Sequence, residues 1–542
     1  MPKRHNNTFS SFFFRNGRIT GRRGRRKGIG SIIGTLFFVL IAIIVLGIFI
    51  TIFNSFSSYV QTFEGYSQQS QLNQETDFSL TSMNFAVPNP TLTGPSTVST
   101  TTTQSAVEYS PQNKLIYADG LWWVFFSTGS GISYETSSTG TSWSAATSVT
   151  TSATSTTGMT FSIWLSGTTL YYVLSNAGST SSFRWRYGTI SASGTISWTI
   201  SETAVTTAHT AEEYDAITVD GSGNVWVALL TYKSSSSTYY LEVWKYSGGT
   251  WTSEDAISGA TVTSGTMPDL EPVTSGIVLI YGEAGSTTNT VTILTTATGA
   301  TWSTAVSPAS YYAMFYSSAI SVGNTIYFVG LASGSTGSSS GTVDFWSFTY
   351  GASSTSAQTV ISSTSAGWYT SIAQANSNTF IIYYGSGVDM YYVFSTDGMT
   401  NWSSQQTIST GESSLVGISS SNTGGGLVWV SGSSSPYNVR FAAVTASTQW
   451  QVTPTFQNNS PFAVQLVSFY LVDTTQNLLV AHWDVNSSGT DVTGLFSQWV
   501  GAGQSVSTTL TMSSTWTHSD TFLATVTTNQ GVIESGTYTA PS

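Results

Sequence analysis

The six residues Leu121-Trp122-Trp123-Val124-Phe125-Phe126 are apolar without a break. Such a run is too short for a self-sufficient helix, and it lacks the alternation that leaves one face in water. It fits a strand covered on both faces. The same kind of strand recurs as LYYVL around Tyr172, NVWVALL around Trp226, IVLIYG around Leu279, IYFVG around Phe328, FIIYYG around Ile382 and LVWVSG around Trp429. Counted from Trp123, the successive gaps are 49, 54, 53, 49, 54 and 47 residues. A fixed period near 50 residues marks a repeat architecture. Turn-rich segments such as KLIYADG, AITVDGSGN and AISVGN precede these strands, so each unit opens with a hairpin. About four strands per unit predict a β-propeller over 105–447. The last repeat, Leu415 to Ala446, has room for three strands, and a strand within 96–109 is expected to complete it and protect the ring's edges. Seven blades are expected, with six as the alternative.

A second element recurs late in the units: TSSTGTSW ending at Trp143, TTATGATW ending at Trp302, STDGMTNW ending at Trp402 and the weaker SASGTISW ending at Trp198. These resemble the Asp-box, SxDxGxxW, of sialidase-like propellers. Only Asp397 keeps the acidic residue; Ser138, Ala297 and Ser193 stand at the other three positions. The resemblance implies a turn between the two outer strands of a blade, with the tryptophan packed between blades. It argues fold, not activity. The sialidase resemblance would also require three arginines from different blades, but the chain beyond the N-terminal region holds only Arg184, Arg186 and Arg440, the first two on one strand.

Charge is divided unevenly. Nine of the 15 basic residues lie between Lys3 and Lys27, and no acidic residue precedes Glu64, which leaves six basic against 26 acidic residues in the remainder. A surface of that sign repels nucleic-acid phosphate, so no nucleic-acid partner is expected. There is no cysteine, which excludes disulfides, thiolate catalysis and cysteine metal sites.

From Ile29 to Phe53 there are 25 residues without a charge. At about 1.5 Å per residue they cover the roughly 30 Å of a bilayer core. The basic flank places residues 1–28 in the cytoplasm and everything after about Tyr59 outside. Phe53, Phe56, Val60 and Phe63 continue at helical spacing, which predicts a helix over 29–77. The pair Lys27-Gly28 stands before the apolar run, and Ile29-Gly30-Ser31-Ile32-Ile33-Gly34-Thr35 follows it. This order resembles the class III signal peptide of archaeal type IV pilins. That likeness implies a basic leader over 1–28, cleavage between Gly28 and Ile29 by a prepilin peptidase, and packing of the freed helix with sister pilin-like subunits.

VPNPTLTGPSTVSTTTT, rich in proline and threonine, is expected as part of an extended linker over 78–104. After Thr448 the period stops. Strand patterns such as FAVQLVSFYLVD and TFLATVTT predict a β-sandwich over 448–542, resembling the Ig-like domains of archaeal surface proteins. The fold class is therefore all-β outside the membrane, carried on one long N-terminal transmembrane helix.

Candidate chemistry gathers in the loops that feed the inner strands: His209, Glu212, Glu213, Tyr214 and Asp215 before the third repeat, Asp269 and Glu271 before the fourth, Glu108 before the first. If they converge on one channel mouth, they offer oxygen ligands for Ca²⁺ or a carboxylate pair for glycoside hydrolysis, with Glu213, Asp269 and Glu271 as the acids. A solvated acidic rim is the plainer reading. His482 and His518 are read as solvated or core residues. Asn401, Asn458 and Asn486 each open an N-glycosylation sequon. The function expected is a surface protein, on a filament or held at the cell membrane, whose propeller serves adhesion or glycan binding. A tethered glycoside hydrolase and a purely structural envelope component are the alternatives.

Overall fold

The computed structural model describes residues 30–540 apart from 76, 87–88, 151–160, 176–180, 212–213, 255–261, 283–290, 304, 309–317, 332–341, 362–368, 413–414, 421–422, 447–449, 486–492 and 513–519. One helix, Gly30–Glu75, opens the described chain. The described side chains from Ile33 to Thr62 are all exposed, so the helix is not the core of a soluble domain. That segment is long and apolar enough to cross a membrane or to act as a signal sequence.

The repeated apolar strands are the second strands of seven antiparallel sheets. Their inner neighbours are Leu115–Ala118, Phe161–Ser166, Ala216–Val219, Met267–Val273, Ala319–Val322, Thr370–Gln374 and Leu415–Ser420. Consecutive inner strands abut from the second sheet to the seventh, and the seventh sheet meets the first. Asn113 links the first sheet to the second by accepting the Ile163 amide at 3.0 Å. Seven apolar clusters fill the seams, each drawn from two neighbouring sheets. The strands read as unbroken apolar runs because both of their faces enter such a seam. The fold is a β-propeller.

The segment 78–104 is not a linker. Phe78–Ala86 pairs with Trp450–Asn458, and Thr91–Thr101 pairs with Tyr437–Thr445 as the outermost strand of the seventh sheet. The closing strand therefore starts earlier than the 96–109 expected. Its surface is largely exposed or half-buried, as suits an edge, and Pro95 and its threonines hide it from a pattern search. Phe78–Ala86 likewise moves the sandwich boundary: that domain consists of this strand together with the chain from Trp450 onward. Its two sheets enclose one core containing Phe78, Trp450, Phe456, Phe469, Trp483 and Phe522.

Candidate functional site

An inner propeller strand is paired on one edge only, so its alternate N–H and C=O groups face the axis and need other partners. The structure caps several of these edges with side chains. Ser318 Oγ accepts the Ile372 amide at 2.9 Å, and Ser420 Oγ donates to the Ile372 carbonyl at 2.5 Å. Ser371 Oγ is hydrogen-bonded to both serines. Ser419 Oγ accepts the Lys114 amide at 3.1 Å and donates to the Gln112 carbonyl at 2.9 Å.

Asp269 and Glu271 do the same work between the fourth and fifth sheets. They are two residues apart on the inner strand Met267–Val273, alternating with Leu270, which packs the other way against the third sheet. Asp269 Oδ2 accepts the Ala319 amide at 3.1 Å, and Glu271 accepts from the backbone and hydroxyl of Ser321. The two are only 5% and 1% exposed, with no cation beside them among the described residues. Burial pushes Asp269 up to about 7; burial and the neighbouring Asp269 push Glu271 well above the usual carboxylate range.

Glu108 and Asp215 lie elsewhere, around Lys114. This lysine is fully buried at the start of the first inner strand, its Nζ 3.0 Å from Gln112 Oε1, bonded to the Phe161 carbonyl and 3.7 Å from the Phe161 ring centroid. Burial lowers its ammonium strongly, while the charges of Asp215 and Glu108 pull in the opposite direction. Burial likewise raises Glu108, against the hydrogen bond from Ser105 and the charge of Lys114. Gln112 Nε2 also donates to the Asp215 carbonyl at 3.1 Å, and Tyr109 packs on Tyr214 with ring centroids 5.4 Å apart. The segment before the first inner strand thus reaches the third sheet. Lys114 was missed in the sequence; its signal was a lone lysine, one of six basic residues outside the N-terminal region, abutting an apolar strand.

His209 occupies a third place. Its Nδ1 is 3.1 Å from Glu242 Oε1 and its ring stacks on Tyr240 at 4.5 Å. Glu242 also takes the amides of Ala208 and His209, the Thr231 hydroxyl and the Trp244 indole. The expected convergence on one mouth is therefore not found among the described residues: the named groups divide over three positions because open edges and a buried lysine claim them. No set of three described His, Asp or Glu residues is placed to hold a metal ion, so the Ca²⁺ expectation gains no described ligand set. Glu212 and Glu213 lie outside the described residues, as do Lys27, Gly28, Ile29, Asn486 and His518.

The three arginines serve blade flanks. Arg184 pairs with Glu202 at 2.8 Å, Arg186 lies over the Trp198 ring at 3.9 Å, and Arg440 donates to Thr97 at 2.8 Å. His482 is buried in the sandwich, stacked on Tyr470 at 4.1 Å.

The tryptophans of these turns are half-buried against the seams, three of them on a ring of the preceding sheet. Trp402 meets Phe345 edge-on at 5.6 Å, Trp143 meets Phe441 at 5.0 Å, and Trp302 meets Trp226 at 6.4 Å. Trp198 belongs to the seam between the first and second sheets, 5.9 Å from Tyr172. In the turn of Asp397, Ser395 Oγ accepts the Met399 amide while Asp397 takes the amides of Thr400 and Asn401. The matching hydroxyls are Ser137 and Thr296, which take the amides of Gly140 and Gly299. Those two turns are one residue shorter than the Asp397 turn, so Ser138 and Ala297 do not stand in for the aspartate. Gly140, Gly299 and Met399 share the left-handed position at φ 72°, 93° and 72°, where the methionine is the exception to the glycine preference.

Of the sequons, Asn401 is exposed, with Nδ2 donating to Asp397 at 2.7 Å. Asn458 is a correction. It is 0% exposed, and Nδ2 donates to the carbonyls of Phe462 and Val500, both at 2.9 Å, so this fold leaves no room for a glycan there.

No family profile matches the chain. No curated relative matches it either. Among solved structures, a PL25 ulvan lyase bound to -[GlcA(1-4)Rha3S]- overlaps 66% of this chain and 96% of its own at TM-score 0.46 and 10% identity. The Trypanosoma rangeli sialidase in complex with the inhibitor DANA overlaps 84% and 89% at TM-score 0.39 and 9% identity. The GH93 α-L-arabinofuranosidase of Fusarium graminearum with arabinobiose overlaps 51% and 89% at TM-score 0.33 and 15% identity. All three scores fall below 0.5, and the propeller assignment rests on the sheets and seams described above.

Proposed function

We propose that this chain is a membrane-held surface protein whose propeller binds extracellular glycan. One observation carries the reading: Glu108, Asp215, Asp269 and Glu271 are between 0% and 7% exposed, the first two beside a buried lysine and the last two capping the edge of the next sheet, which suits a rigid binding head better than an acid–base site. The exposed apolar helix supports the anchor. In this reading the leader 1–28 is cytoplasmic, a prepilin peptidase cuts at Gly28-Ile29, and the freed helix joins sister subunits as a minor or tip component of a filament. Cleavage would remove every basic charge before the helix, so that it could pass from the bilayer into a filament core by packing against sister helices. Two measurements test this. The mass of the mature N-terminus should begin at Ile29; a chain beginning at Met1 ends the pilin part while leaving the anchor. A glycan array probed with the full detergent-solubilised chain should show selective binding; a blank array leaves only an envelope scaffold.

The paired carboxyls favour a second reading, a tethered glycoside hydrolase. Asp269 and Glu271 are adjacent, and both are shifted upward, as enzymes shift a general acid. Asp269→Ala and Glu213→Ala should then abolish polysaccharide turnover without unfolding the chain. Unchanged turnover removes this reading.

A further inference from the structure

A cavity of about 380 Å³ opens on the face of the propeller opposite the loops that feed the inner strands. It lies between the Asp397 turn of the sixth sheet and Asn89-Pro90, which lead into the closing strand Thr91–Thr101. Its volume falls in the roughly 300–1,000 Å³ range of small-ligand pockets. Tyr392 and Phe394, on one face of the strand Asp389–Ser395 with ring centroids 6.4 Å apart, contribute an aromatic wall. Asn89, Asn401, Gln406 and Ser404 contribute amides and a hydroxyl.

We infer that this cavity is a subsite for a neutral saccharide, a refinement that rests on the glycan-binding reading above. An aromatic wall suits the apolar C–H face of a sugar ring, and amides both donate to and accept from hydroxyl groups. Charge decides the class. Among the described residues no lysine, arginine or histidine lines the cavity, so a sialate or uronate carboxylate would be desolvated without a counter-ion. The one charged group in the described lining, Asp397, already accepts from Ser395, Thr400 and Asn401, so it offers little to a cation. A neutral polyhydroxylated ring meets both conditions.

The test uses the full chain from a non-glycosylating host, in detergent, with lactose, cellobiose and mannobiose as neutral probes and sialyllactose and digalacturonate as acidic ones, read by saturation-transfer NMR and calorimetry. At least one neutral probe should bind, tenfold or more tightly than the acidic ones, and Phe394→Ala and Gln406→Ala should each weaken it at least tenfold. Gln406→Ala changes a half-buried surface residue, so it remains informative if Phe394→Ala fails to fold. Equal binding by parent and variants overturns this site while the glycan reading stands. Preference for an acidic probe overturns the neutral class alone. No binding by any probe overturns both.

Discussion

The two pairs of buried acids near the axis meet the same cost in different ways. Glu108 and Asp215 share a fully buried lysine, while Asp269 and Glu271 have only amides and a hydroxyl to compensate them. At the first pair burial raises Glu108 and lowers Lys114 while their opposite charges resist both shifts; at the second no such charge resists, and burial carries Asp269 up to about 7 and Glu271 well above the usual carboxylate range. The serines at the next two seams cap equivalent open edges without any charge. Carboxyls at 269 and 271 are thus an expensive way to do what Ser318 and Ser420 do cheaply, which is why this pair is the part of the ring where a catalytic reading can still gain support.

The largest break in this contrast is Lys114→Met. It leaves two acids buried with no cation and should cost about 3–5 kcal/mol in denaturant unfolding. A loss below about 1 kcal/mol would show that Glu108 and Asp215 are already neutral, like the second pair. Asp269→Asn tests the second pair through pH. Its folded pKa lies above the unfolded value, so the stability it contributes is complete below about pH 4, falls as pH rises to about 7, and is flat beyond. The Asn variant should remove that decline and gain up to roughly 3–4 kcal/mol at pH 8, with little change at pH 4. Thermal melts at the two pH values check this.

Ser318→Ala sharpens the comparison from the uncharged side. It orphans the Ile372 amide and should cost about 1–2 kcal/mol with no pH dependence between 4 and 8. The smallest effect is expected at Asp397. Against the cost of partial burial, hydrogen bonds from Asn401, Ser395 and Thr400 hold this carboxyl below its usual range. Asp397→Asn should therefore lose about 0.5–1 kcal/mol at pH 7. That loss should fade as pH falls through the folded pKa, the opposite sign to Asp269.

The propeller was legible because its second strands enter seams on both faces and read as apolar blocks at one spacing. The closing strand Thr91–Thr101 was not, since an edge strand needs no such pattern and Pro90 and Pro95 argue against one. Period two does hold information that was passed over. Counting by twos from Trp450 through Val452 and Phe456 turns Asn458 inward, as its burial confirms, and the same count sets Asp269 and Glu271 opposite Leu270. What no count supplies is which open edge a carboxyl will cap. That depends on contacts about 50 residues away in sequence, such as Asp269 with Ala319. Lys114 with Asp215 is a longer case still, joining the first sheet to the third.

The most direct measurement pairs glycan binding with product release in one preparation, comparing the full chain with its Asp269→Asn/Glu271→Gln double variant, both shown folded by thermal melting. A binding head predicts that the variant retains the parent's glycan affinity within about twofold and that neither protein shortens the glycan. Cleavage by the parent that disappears in the variant would contradict it and make the buried pair the active site.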